Sequence, residues 1–123
     1  MLRGAASAAA AMCALLALAF GTAWGAEYPN RPIRLIVPFA PGGGSDFVGR
    51  VSAQKLSEQM GQQVVVDNRS GAASLVGTEI ALHSAPDGYT LLLGDTGLTI
   101  NLAYYKNATY DPVKDFEPVT VVA

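Results

Sequence analysis

Ile33-Arg34-Leu35-Ile36-Val37-Pro38-Phe39-Ala40-Pro41-Gly42-Gly43-Gly44-Ser45-Asp46 is the stretch whose reading decides the fold of this chain. Its first five residues are rich in β-branched and apolar side chains and predict a strand that Pro38 ends. The glycine-rich segment must then be loop, and Ser45 or Asp46 can cap a helix. Phe47, Val48, Val51, Leu56 and Met60 recur at helical spacing and predict its buried stripe, with Gly61 as the stop. Upstream, Tyr28-Pro29-Asn30-Arg31-Pro32 reads as an extended lead-in, because its prolines disfavour helix.

Outward from this unit the same alternation returns. Residues 63–66 predict a second strand, 67–71 a loop, and 72–84 a second helix with Leu75, Val76, Ile80 and His83 along one side. Ala85-Pro86-Asp87-Gly88 has type I turn chemistry. A third strand over 89–93 follows, then a Gly/Thr loop over 94–99 that opens a short helix through Tyr104. Tyr104 and Tyr105 are expected to pack under the loop after it. Residues 111–116 are turn-like, and 117–123 predict a fourth strand inside which the sequence stops. The chain is therefore expected to be the N-terminal piece of a longer protein. Apolar strands alternating with helices argue for an α/β domain whose parallel sheet is covered on both faces.

The N-terminus has a different character. Arg3 is the only charge before Glu27, and apolar residues run through 8–12, 14–18 and Phe20. A short positive start, an apolar run and a small-residue exit predict a secretory signal peptide over residues 1–25. Cleavage after Gly25 places Ala23 and Gly25 at the small-residue positions, whereas cleavage after Ala26 would put Trp24 there. The apolar run falls short of the roughly 20 residues a spanning helix needs, so no membrane insertion is expected after cleavage. Cys13, the only cysteine, lies inside that run as hydrophobic filling. The mature chain is then expected to lack disulfides, thiolate metal sites and a cysteine nucleophile.

Loss of Arg3 leaves seven Lys and Arg against ten Asp and Glu, scattered without a basic block. That argues against nucleic-acid partners. Familiar chemical motifs fail when checked. A phosphate loop needs lysine after its glycines, and Gly43-Gly44-Ser45-Asp46 has none. A nucleophile elbow needs a second glycine where Phe47 stands. A dinucleotide fingerprint gains from Asp67 at the end of strand two but lacks its third glycine. It is kept as the alternative reading, a Rossmann-like oxidoreductase, beside the possibility of a fragment with no independent function. His83 is the only histidine and is expected to meet the last carbonyls of its helix, with no metal and no catalytic triad.

Ligands of open parallel sheets bind beyond the carboxyl ends of the strands. The loops over 39–46, 67–72 and 94–99 lie there, each small-residue-rich and each leading into a helix. Helix tips present unpaired N–H groups and partial positive charge, which suit a carboxylate. Thr96 and Gly97 are included as candidate contacts on this strand-end argument. Asp46 reads as a cap, a ligand contact or both, and Asn68-Arg69 as an anion partner or a solvated loop.

The residues from Tyr28 through Asp46 resemble the opening of the Bug-type extracytoplasmic solute receptors. Those are the substrate-binding proteins of tripartite tricarboxylate transport systems. Val65-Val66-Asp67-Asn68-Arg69-Ser70-Gly71-Ala72 resembles the second loop of that family. Pro86-Asp87-Gly88-Tyr89-Thr90-Leu91 and Tyr110-Asp111-Pro112-Val113-Lys114-Asp115-Phe116 are similar to two more of its signatures. The resemblance implies a periplasmic-binding-protein-like fold (type II), of which residues 26–123 form part of the first of two lobes. It implies a periplasmic, non-enzymatic receptor that binds a small carboxylated ligand without a cofactor and delivers it to membrane permease subunits. It points to Phe39, Ala40, Gly42, Gly43, Gly44, Ser45 and Asp46 in the first loop, and Gly71 and Ala72 in the second, as ligand-binding residues.

Overall fold

A computed structural model of the chain describes residues 27–106 and 108–122. The expected signal peptide, its cleavage site and Cys13 lie outside the described residues. The order is β1 (Ile33–Val37), α1 (Gly44–Met60), β2 (Val64–Asn68), α2 (Leu75–Leu82), β3 (Thr90–Leu92) and α3 (Gly97–Tyr104). The strands form one parallel sheet in the order β2-β1-β3, with Leu35 aligned on Val66 and on Leu91.

β1 is central because it is apolar on both faces. Ile33, Ile36 and Val37 are fully buried, and each such side chain contributes about 1.5–3 kcal/mol. Ile33, Leu35 and Val37 point to α1, where they meet Ala53, Leu56 and Met60. Alternation turns Ile36 the other way, towards the face on which α2 packs over β1 and β3.

Two glycines set how closely the helices approach. A Cβ on Gly49 would lie 2.7 Å from Val37 Cγ2, and one on Gly77 would lie 2.7 Å from Pro38 Cβ and 2.9 Å from the Arg69 carbonyl. The core side of α1 is therefore Asp46, Gly49 and Ala53, flanked by Leu56 and Met60. This corrects the expected stripe. Phe47 is 70% exposed, and Val48 and Val51 also face outward, because only small residues fit the short distance to β1. α1 does stop at Gly61, whose φ is 65° and whose N–H donates to the Ser57 carbonyl at 3.1 Å.

At the amino edge of the sheet, the lead-in is buckled to the turn before β3. Tyr28 Oη donates to the Gly88 carbonyl at 2.7 Å, and Arg31 pairs with Asp87 at 2.6 Å. The Arg31 guanidinium also lies 4.2 Å from the centre of the Tyr89 ring. Asp87, Gly88 and Tyr89 of the Pro86–Leu91 signature are thus structural here, at the end opposite the strand-to-helix loops.

Two further expectations change. Residues 117–122 form no strand and pair with neither β2 nor β3, and Val119 and Val121 stand largely exposed. Tyr104 is 80% exposed, while Tyr110 packs in its place at 4% and donates to the Leu98 carbonyl at 2.9 Å. His83 behaves as expected, with Nδ1 donating to the Glu79 carbonyl at 2.8 Å.

Candidate functional site

Because all the strands run parallel, the loops that follow them open on a single rim. The first comprises Pro38 to the N-cap Gly43, with Gly42 at φ 88°. Phe47 N–H makes the first helical bond, to the Gly43 carbonyl at 3.0 Å. The N–H groups of Gly43, Gly44 and Ser45 find no acceptor among the described residues, as expected of an open helix tip. Neither Ser45 nor Asp46 caps through its side chain, so that expectation is corrected.

Asp46 instead holds the loop from behind. It is 4% exposed. Its Oδ2 accepts from Gly42 N–H and Arg50 Nε, both at 2.9 Å, and its Oδ1 accepts from Asn68 Nδ2 at 3.0 Å. Asn68 also donates to the Phe39 carbonyl at 3.1 Å, so loop one is tied to the end of β2. Asp46 is therefore committed to the scaffold, and Asn68 is a framework residue that sequence reading left undecided.

The second loop departs most from expectation. Helix was expected from Ala72, yet Ala72, Ala73 and Ser74 have φ of 44°, 50° and 78°, following Gly71 at 141°. Non-glycine residues avoid this left-handed region. The turn consumes its own acceptors. The Gly71 carbonyl takes Val76 N–H, Ala72 takes Leu75 N–H, and Ser74 takes Thr78 N–H. Asn101 Nδ2 donates to the Ala73 carbonyl at 2.6 Å. The N–H groups of residues 71–74 donate to nothing among the described residues, and Gly71, Ala72 and Ala73 are exposed. The exposed segment is left with unpaired donors while each of its carbonyls already accepts a hydrogen bond, a polarity that suits an anion.

The third loop lies beside the second. A Cβ on Gly97 would stand 2.6 Å from Ser74 Oγ and 2.9 Å from Asp95 Oδ1, so Gly97 serves close packing. Thr96 is exposed, but the neighbouring Asp95 carboxylate makes this tip less favourable to an anion than the other two.

Asp67, the acid of the dinucleotide alternative, is occupied by Arg34 at 2.7 Å and Arg69 at 2.9 Å. Partial burial pushes its pKa up, but the hydrogen bonds from Arg34 and Arg69 outweigh this and the net shift is downward. Two open recesses, of about 380 and 530 Å³, lie between β2 and the start of β1 and between β2 and α1, rather than among the strand-to-helix loops. Among the described residues, no group of side chains has the makings of a metal site, and no helix is long and apolar enough to cross a membrane.

The hydrogen bond from Arg50, followed by those from Gly42 and Asn68, holds the Asp46 carboxyl down to about 2 from an ordinary 3.8. A carboxyl lowered in the folded state contributes stability that is complete above its unfolded pKa and is lost as pH falls towards the folded value. Circular dichroism melts should thus show stability falling between about pH 4 and pH 2, and Asp46→Asn should flatten that limb. An unaltered limb in the variant would contradict the Asp46 network.

A family model described as "Tripartite tricarboxylate transporter family receptor" matches residues 48–123. The chain belongs to this receptor family. Among its relatives, Protein BugT of Bordetella pertussis is 45% identical over 97 residues, which is 77% of this chain and 30% of BugT. A solved structure of the periplasmic binding protein BugD superposes with a TM-score of 0.71 at 42% identity, covering 74% of this chain and 30% of BugD. MatC from Rhodopseudomonas palustris, solved with bound malate, gives 0.73 at 34% identity, covering 77% and 33%. The chain thus spans about a third of the length of the relatives it matches. Its α/β fold is that of periplasmic binding proteins, and this receptor family binds solutes rather than catalysing reactions.

Proposed function

We propose that this chain carries the carboxylate-gripping rim of a periplasmic receptor that binds a small organic acid and hands it to membrane permease subunits. The observation that carries this reading is the second loop, whose N–H groups are unpaired while its carbonyls are engaged, set on the same rim as the open tip of α1. Backbone amides fixed in place hold a carboxylate without a buried cation and without reorganising. Malate bound in MatC agrees with this ligand class. Residues 1–25 act as the export signal, and residues 26–123 form part of the first ligand-binding lobe, with the rest of the cleft supplied by a second lobe. Phe39, Ala40, Gly42, Gly43, Gly44, Ser45, Gly71 and Ala72 line the ligand side, with Thr96 at its margin and Asp46 behind it.

Isothermal titration against acetate, succinate, malate, adipate and their amides is the direct test. Binding of the acids, with loss of affinity in the uncharged amides, is expected. Equal binding of acids and amides, or nicotinamide dinucleotide binding in place of either, would overturn the proposal.

A further inference from the structure

The left-handed turn at residues 72–74 is expensive, because side-chain-bearing residues there crowd their own carbonyls. Something outside the turn must hold it. Asn101 is 29 positions beyond Ala72 in sequence, on the inner face of α3, and is 3% exposed. Its amide donates to the Ala73 carbonyl at 2.6 Å and reaches Ser74 Oγ at 3.3 Å. Ser74 Oγ in turn donates to Asp95 Oδ1 at 3.3 Å. The Ala73 carbonyl has no local backbone partner among the described residues, unlike those of Gly71, Ala72 and Ser74. Asn101 therefore supplies the one link that the local chain does not provide. A helical start at Ala72 would turn that carbonyl along the helix axis and away from α3.

We infer that Asn101 is a positioning residue, which holds residues 72–74 left-handed and so keeps their amides presented to the ligand, without touching the ligand itself. This rests on the carboxylate-receptor reading for its functional consequence, but not for its structural one. α3 is in this view a brace for the second loop.

Malate is the probe, read by titration, with amide NMR spectra of the ligand-free chain recorded in parallel. Asn101→Ala should lower malate affinity at least roughly tenfold and shift the amide resonances of residues 71–75. Tyr110→Phe, which removes the Leu98 contact of the same helix, should leave affinity within about twofold, so that loosening α3 in general is not the cause. Glycine adopts positive φ without the Cβ penalty, so Asn101→Ala combined with Ala73→Gly should recover most of the lost affinity. If Asn101→Ala does not fold, recovery of folding by the same glycine supports the inference. Unchanged affinity in Asn101→Ala, or a double variant no better than the single one, would overturn it. If the unaltered chain binds no acid, the receptor reading fails separately, and the amide shifts of residues 71–75 still decide whether Asn101 holds the turn.

Discussion

Gly77→Ala should be among the most destabilising single changes available in this chain. The added Cβ would meet Pro38 Cβ at 2.7 Å and, at 2.9 Å, both Pro38 Cα and the Arg69 carbonyl. Most of these are backbone atoms of segments already fixed by the sheet. Overpacking costs about 1–3 kcal/mol, and rigid neighbours push the cost to the upper end. Each kcal/mol moves the melting midpoint of a domain this size by about 4–8 °C, so a fall of roughly 15 °C is expected. Gly49→Ala should do less, because its close neighbour is the Val37 side chain at 2.7 Å. Gly44→Ala meets nothing within 4 Å and should leave the midpoint nearly unchanged. Differential scanning calorimetry on the three variants checks the order, and a Gly77→Ala midpoint close to that of Gly44→Ala would refute it.

The second large effect is expected on binding. Asp46→Asn keeps the shape of the side chain but replaces one acceptor oxygen with an NH₂ group. Gly42, Arg50 and Asn68 all donate to that carboxylate, so at least one donor must then face another donor. Loop one loses its tie to β2, and the tip of α1 is no longer aimed. Malate affinity should fall roughly tenfold or more, although Asp46 is buried behind the loop. Asp46→Glu should not restore it, since the longer chain displaces both oxygens. Wild-type affinity in Asp46→Asn would show that the network does not organise the rim.

Much of the framework was legible in the sequence because it depends on local patterns. The β1 run is apolar on both faces, Pro38 ends it, and Gly61 stops α1 in the left-handed conformation. What escaped depends on contacts between distant segments. Phe47, Val48 and Val51 have helical periodicity, but the distance set by Gly49 against Val37 turns them outward and gives the core side to Gly49 and Ala53. Ala72 and Ala73 are good helix formers, yet Asn101, far along the chain, helps hold them left-handed. Asn68 reads as part of the 67–71 loop, whereas it ends β2 and bonds to Phe39 and Asp46. Residues 117–122 carry strand propensity, but propensity without pairing to a neighbouring strand gives no strand. In the site, loop positions followed from topology alone. The direction of their amides did not, because that depends on φ values no local pattern announces.

The grip on an anion by main-chain amides is tested most directly by following backbone amide resonances as malate is added. Those of Gly43, Gly44, Ser45, Ala72 and Ala73 should move together along one saturating curve, in the direction of stronger hydrogen bonding. Movement confined to residues 63–67 and the outer side of β2, with these five amides still, would contradict it.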